Sequence, residues 1–187
     1  MSDKLEKDEF IEAYRQQLGE IDEVAKLILN GHLEVEAELD EVLKAIFLHP
    51  KHLLENRLTF VQKAQIARAY AIRQNEWPHW RLIKALNAVR NEAAHGKRTE
   101  RRTKKIAELQ TFILQAVNLK VQERLKVAGE EEIVVTAAAI VSGYLTHLRD
   151  SILSMRHHFE LLDEEMFSDE PRVPSETKLS HEDDEKE

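Results

Sequence analysis

The sequence has no cysteine among its 187 residues, only five glycines and four prolines, and few aromatic residues (6%). The absence of cysteine excludes disulfide scaffolds, cysteine zinc sites and thiol chemistry. No apolar run approaches the roughly 20 residues that a membrane-spanning helix needs, and the charged segment Met1 to Phe10 does not resemble a signal peptide. The sequence therefore predicts a cytoplasmic, soluble, helix-rich protein whose core is large enough to need no disulfide or metal.

Charge is distributed unevenly along the chain. The formal net charge is −8, and residues 163–187, which hold eleven acidic and three basic side chains, account for all of it. Between Arg81 and Lys105, in contrast, nine basic residues stand against two acidic ones. A local basic segment of this kind attracts a polyanion even when the chain as a whole is acidic.

Apolar residues recur every three or four positions, which predicts an all-α fold. The Asn30-Gly31 pair is expected to close a first helix, because both residues tolerate the left-handed conformation found at helix ends. Thr59 is the expected N-cap of a third helix, and Pro78 fits the first turn of a fourth. The further helices are expected, in chain order, at about 33–48, 59–73, 78–95, 100–128 and 131–167.

The C-terminal region carries two signals. The last expected helix has apolar residues alternately four and three positions apart, the spacing of an a/d seam: Val141, Leu145, Leu148, Ile152, Met155, Phe159 and Leu162. This seam predicts packing either on its own domain or against a second copy in a homodimer. From Ser168 onward proline, serine and acidic residues dominate, so we expect a domain over 1–167 and a disordered acidic tail over 168–187.

The segment with the clearest chemical signal is Trp80 to His95, with the sequence WRLIKALNAVRNEAAH. On a helix its buried face is expected to consist of four residues: Leu82, Leu86, Val89 and Ala93. A polar stripe is expected to point away from the core: Lys84, Asn87, Asn91 and His95. Arg90 lies on the flank between these two faces.

Two copies of this helix facing each other across a two-fold axis would bring Arg90, Asn91 and His95 of both chains into one composite cleft. RNA cleavage without a metal requires proton transfer from the 2′-hydroxyl and to the leaving 5′-oxygen, and a cation that stabilises charge on phosphorus. Histidine titrates near neutral pH, and a guanidinium matches phosphoryl oxygens. Flanking phosphates are expected to bind Lys84 and Asn87 and the following basic run: Lys97, Arg98, Arg101, Arg102, Lys104 and Lys105.

The segment Arg90-Asn91-Glu92-Ala93-Ala94-His95 resembles the signature of the HEPN superfamily, an arginine and a polar residue followed by a histidine. The similarity to the all-α HEPN layout extends from about Ile21 to Leu119. It implies a homodimeric, metal-independent endoribonuclease without a cofactor, belonging to a toxin–antitoxin or antiphage system and paired with an antitoxin or sensor protein. It also implies that Arg90 and His95 are catalytic and that Asn91 orients or polarises the reacting groups. Members paired with nucleotidyltransferase antitoxins often have a tyrosine where this chain has Lys97.

Other interpretations stay open at this point. His95 can cap a helix end while Arg90 forms an ion pair with an acid such as Glu92, which would be a purely structural role. The chain is also similar to mannitol-operon-repressor-like helical proteins, which implies a catalytically inactive regulator or protein-interaction module. The acidic tail can, alternatively, shield the basic segment of a toxin. The histidines at 49, 52, 157 and 158 lack metal-site spacing, so no metal is expected.

Overall fold

A computed structural model of the protein describes residues 22–71, 74–94 and 99–166. The fold is all-α, as predicted. In chain order the described helices are α1 (Glu23–Ile46), α2 (Pro50–Leu54), α3 (Phe60–Tyr70), α4 (His79–Ala93), α5 (Glu100–Ala116), α6 (Leu119–Lys126) and α7 (Glu130–Met166).

Helix α1 is continuous where the sequence predicted a break. It begins after Asp22, whose side chain accepts a hydrogen bond from the Ala25 amide at 2.7 Å, and it passes through Asn30 and Gly31 without interruption. The predicted helix end at Asn30-Gly31 is therefore wrong. A Cβ atom added at Gly31 would lie 3.0 Å from the Cβ of Ala138, so this glycine permits close packing of α1 on α7.

The start of α3 and the buried face of α4 are confirmed. Thr59 caps α3 through a capping box, in which its hydroxyl accepts from the Gln62 amide and the Gln62 side chain accepts from the Thr59 amide. All four residues expected on the buried face of α4 are at most 2% exposed: Leu82, Leu86, Val89 and Ala93.

The predicted single helix over 100–128 is instead two helices. Helix α5 ends at Ala116, and Asn118 starts α6 by accepting a hydrogen bond from the Val121 amide at 3.1 Å. An asparagine that caps the following turn makes a new helix start favourable, although the apolar spacing continues across it. The long final helix is confirmed by α7, which has 37 residues.

Helix α4 lies at the centre of the bundle and packs on α1, α3 and α5. Tyr144 of α7 stacks on His79 at the start of α4, with ring centroids 4.4 Å apart. The first half of the a/d seam on α7 is buried in the helix bundle: Val141, Leu145, Leu148 and Ile152. The core-facing side of α4 is therefore buried in the bundle. Its opposite side lies next to α3.

The chain divides into two compact units between Leu153 and Ser154, inside α7. In the second unit the seam residues Phe159 and Leu162 are exposed, as is Met166. The predicted acidic tail at 168–187 and the predicted domain end at 167 lie outside the described residues. No helix in the described ranges has the length and apolar character needed to cross a bilayer.

Candidate functional site

Arg90 and Asn91 lie together in the last turn of α4, and both side chains are exposed. Nη1 of Arg90 donates a hydrogen bond to Oδ1 of Asn91 at 3.3 Å. Within the part of the chain that the structure describes, the guanidinium forms no ion pair with Glu92 or with any other carboxylate. His95, the third residue of the predicted site, lies outside that part.

Arg90 borders a cleft of about 290 Å³ at the meeting point of α1, α3 and α4. Helix α1 contributes His32 and Glu36 to its lining, α3 contributes Phe60, and α4 contributes Asn87 and Arg90. The cleft therefore brings together a cation, an imidazole, a carboxylate and an amide in one chain. These are the groups that bind a phosphate ester and move protons near it.

His32 is the most buried polar residue of the cleft, with 4% of its surface exposed. Its ring stacks on Phe60 at 4.2 Å, and its Nε2 donates to Oδ1 of Asn87 at 3.1 Å. Burial lowers the pKa of His32, and the nearby Arg90 charge lowers it further, while the Asn87 hydrogen bond and Glu36 oppose the shift. His32 is consequently neutral at neutral pH.

Glu36 is held by a buried lysine. Its Oε1 lies 3.0 Å from Nζ of Lys63, which is 9% exposed and also contacts the carboxylate of Asp40 at 2.9 Å. Burial works against the charged form of Lys63, but the hydrogen bonds to Asp40 and Glu36 outweigh it and raise the pKa of Lys63. The lysine therefore stays charged and offsets the carboxylate that faces His32.

Sequence reasoning missed His32 because the expected break at Asn30-Gly31 placed it in a turn. The spacing of apolar residues around His32 nevertheless indicates its burial. With α1 continuous, Ile28, His32, Val35 and Leu39 follow the four-three-four spacing of one buried face. A histidine within such an apolar series is expected to be buried and to need a polar partner.

Seven of the eight predicted RNA-binding residues divide into three groups. Lys84, Arg101 and Lys104 are exposed. Asn87 and Lys105 are partly buried, and Lys105 donates to Glu108 at 2.7 Å. Lys97 and Arg98 lie outside the described ranges.

Arg102, the eighth predicted RNA-binding residue, lies in the core of the bundle. It is fully buried, and its Nη2 lies 2.8 Å from Oδ2 of Asp22. It shares the buried face of α5 with Ile106, Leu109 and Ile113, which follow at helical spacing. The prediction that Arg102 binds RNA is wrong, because this guanidinium faces the helix bundle rather than solvent.

No cluster of three or more potential metal ligands occurs in the described residues. In comparisons with known proteins, no family model matches the sequence, no curated protein matches it and no solved structure matches the chain. The HEPN resemblance thus depends on the segment Arg90 to His95 and on the all-α layout.

Proposed function

We propose that the protein is a metal-independent endoribonuclease of the HEPN type that acts as a homodimer. In this proposal Arg90 stabilises charge on the scissile phosphate, Asn91 orients the arginine, and His95 transfers protons. One observation supports it above all: α4 presents Arg90 and Asn91 together at the rim of a cleft, with no carboxylate pairing the guanidinium in the described part of the chain. An unpaired guanidinium is available to bind two phosphoryl oxygens.

The proposed reaction is an internal transesterification. The 2′-oxygen attacks phosphorus and gives its proton to a base, while the bond to the 5′-oxygen breaks and that oxygen receives a proton. The products are a 2′,3′-cyclic phosphate and a 5′-hydroxyl, so no water, metal or oxidant enters the step. A neutral imidazole serves as the base and an imidazolium as the acid, which two copies of His95 across a two-fold axis would supply.

Exposed lysines and arginines would hold the flanking RNA. Lys84 on α4, with Arg101 and Lys104 on α5, present cationic side chains to solvent. Lys97, Arg98 and Lys105 complete the basic segment in this proposal. Because phosphate contacts release counterions, binding is expected to weaken steeply as salt rises.

The test is cleavage of a labelled RNA panel in EDTA by the wild type, Arg90→Ala and His95→Ala. Each variant should lose about 100-fold or more in rate, the usual contribution of a positioned proton-transfer group or charge stabiliser. Arg81→Ala is a matched control, since Arg81 is an exposed arginine two turns or more before Arg90 on the same helix. Circular dichroism should show unchanged helix content in all variants. Cleavage that persists in Arg90→Ala or His95→Ala contradicts the proposal, as does an equal loss in Arg81→Ala.

A second candidate is a catalytically inactive HEPN-like regulator or protein-interaction module of the mannitol-operon-repressor type. The exposed side chains of Phe159, Leu162 and Met166 favour it, because apolar surface of this kind often marks a protein contact. This candidate predicts that no RNA is cleaved, and that Phe159→Glu, but not Arg90→Ala, abolishes association with the partner. A role in a toxin–antitoxin or antiphage system is part of the first proposal only.

A further inference from the structure

A larger groove lies between α3 and α4, beside the cleft that Arg90 borders. Its volume is about 420 Å³, within the range of small-molecule binding sites. The groove and the cleft share Phe60, Val61 and Asn87 in their linings. The groove therefore continues from the cleft that Arg90 borders along α4 toward Trp80.

The groove combines apolar side chains with cations. Its apolar lining comes from both helices and includes Phe60, Ala64, Trp80 and Ile83. Lys84 and Arg68 supply positive charge, and Nε of Arg68 is fixed by donating to the Asn75 carbonyl at 2.7 Å, with Glu76 3.3 Å from its Nη2. Among the residues that line this groove there is no acidic side chain. An apolar groove with Lys84 in its lining and no acidic side chain fits an anionic ligand that carries a flat apolar group.

Amide side chains add hydrogen-bonding capacity to this surface. Gln65, Asn87 and Asn91 line the groove, and an amide can both donate and accept. A ligand with a flat ring, polar ring edges and a phosphate satisfies all three features, and that ligand is a nucleotide.

Asn87 is the groove amide that contacts a buried side chain. Its Oδ1 lies 3.1 Å from Nε2 of His32, and within the described residues its Nδ2 group donates no hydrogen bond. An amide oxygen has two lone pairs, so the contact with His32 leaves Asn87 able both to accept and to donate. Its Nδ2 group can donate to an acceptor on the edge of a base, such as a carbonyl oxygen of uracil or a ring nitrogen of adenine.

We infer that the α3–α4 groove is a nucleobase subsite for the nucleotide next to the scissile phosphate, and that Asn87, positioned by His32, donates a hydrogen bond to the edge of that base. The inference rests on the proposed ribonuclease function for the identity of the ligand. Lys84 holds a phosphate of that nucleotide, and His32 acts as a positioning residue through Asn87.

Binding of nucleoside monophosphates to the full chain in EDTA tests this without any cleavage. The probes are uridine 3′-monophosphate, adenosine 3′-monophosphate and inorganic phosphate, followed by the indole N–H resonance of Trp80, with Trp77→Phe to assign it. We expect both nucleotides to bind about tenfold more tightly than phosphate, because base burial adds to the phosphate contact.

Matched variants separate the base contact from the phosphate contact. Asn87→Ala and His32→Leu should each weaken both nucleotides about fivefold, the worth of one hydrogen bond, without changing phosphate binding. His32→Gln, which can still donate to Asn87, should retain most of the affinity. Lys84→Ala should weaken both nucleotides about threefold. Lys120→Ala, which removes an exposed lysine of α6, should change neither. Circular dichroism is the folding control for each variant.

Several outcomes overturn the inference. These are equal binding of all three probes, an equal loss in Lys120→Ala, and nucleotide affinity that is unchanged in Asn87→Ala. Absence of any Trp80 shift, together with conversion of a dimer to a monomer by Ala64→Glu, would show that a second copy covers the groove. If the nucleotides bind as expected but no RNA is cleaved, the proposed ribonuclease function fails and the groove remains a nucleotide site. Cleavage that depends on Arg90, in a protein that binds the nucleotides no more tightly than phosphate, rejects the subsite alone.

Discussion

Nε2 of His32 lies 3.1 Å from Oδ1 of Asn87, although 55 positions separate the two residues in the sequence. The contact joins the buried face of α1 to the cleft side of α4. Because the same imidazole stacks on Phe60, three helices meet at one side chain. Substitution of His32 is therefore expected to affect both the stability of the bundle and the geometry of the cleft.

The first prediction concerns the pH dependence of stability. Burial lowers the pKa of His32 below the unfolded value of 6.5, and the charge of Arg90 acts in the same direction while Glu36 opposes it. The unfolded chain thus takes up the proton first as pH falls, so stability is complete above about 6.5 and decreases below it. Urea unfolding should show a smaller loss of stability between pH 7 and pH 5 in His32→Gln than in the wild type.

His147→Gln is the control for this measurement, because His147 lies on an exposed position of α7. It should keep the pH dependence of the wild type. His79, whose pKa burial also lowers, is retained in all three proteins and contributes equally to each. An unchanged pH dependence in His32→Gln would contradict the assigned burial of the neutral imidazole.

The second prediction concerns the buried pair of Arg102 and Asp22. Asp22 also caps α1, so Asp22→Ala leaves a buried guanidinium without its partner and removes the cap. The free energy of unfolding should fall by about 3–5 kcal/mol. Asp22→Ser keeps the cap but loses the charge, and should recover about 1 kcal/mol of that loss.

Two further variants make the second prediction specific. Arg102→Met should cost less than Asp22→Ala, because the Asp22 side chain is 35% exposed and water can solvate it. Arg101→Ala removes the neighbouring exposed arginine and should change stability by no more than about 0.5 kcal/mol. A larger effect of Arg101→Ala on stability, or a larger effect of Arg102→Met than of Asp22→Ala, would argue against the buried pair.

Local features of the sequence predicted some of these elements and missed others for a physical reason. The buried face of α4 and the Thr59 cap depend on residues within four positions of each other, so periodicity and capping preferences suffice. A glycine such as Gly31 can end a helix or permit close packing of a second helix, and the local sequence is the same in both cases. The close packing at Gly31 depends on the Cβ of Ala138, which lies far away in the sequence on α7. Arg102 likewise belongs to a basic run by sequence, but its burial depends on Asp22 of α1.

The same distinction applies to the candidate site. Arg90 and Asn91 were recognisable because they lie within six consecutive residues of the sequence that end at the predicted histidine. His32 and Lys63 join the cleft network only through the packing of α1 on α3 and α4, which no short motif encodes.

The third prediction tests the close approach of α1 and α7. Gly31→Ala gains helix propensity, but its Cβ would lie 3.0 Å from the Cβ of Ala138, tighter than normal van der Waals contact. Overpacking should outweigh the gain and lower the free energy of unfolding by about 1–3 kcal/mol. Ala138→Gly in the same chain should relieve much of this loss.

Gly143 provides the matched control, since it also lies within a helix but a Cβ there would meet nothing within 4 Å. Gly143→Ala should therefore stabilise the protein by about 0.5–1 kcal/mol. A stabilising effect of Gly31→Ala equal to that of Gly143→Ala would show that the two helices do not meet closely at Gly31.

The fourth prediction tests whether the proposed active site is shared between two chains. If Arg90 and His95 of both copies form one cleft, the cleavage rate per chain should fall on dilution as the dimer dissociates. Mixing Arg90→Ala with His95→Ala should restore part of the activity, because the mixed dimer retains one arginine and one histidine. Each variant alone, at the same total concentration, is the control. Mass measured by light scattering should follow the rate, and a rate per chain that stays constant while the mass falls from dimer to monomer would place the complete site within one copy.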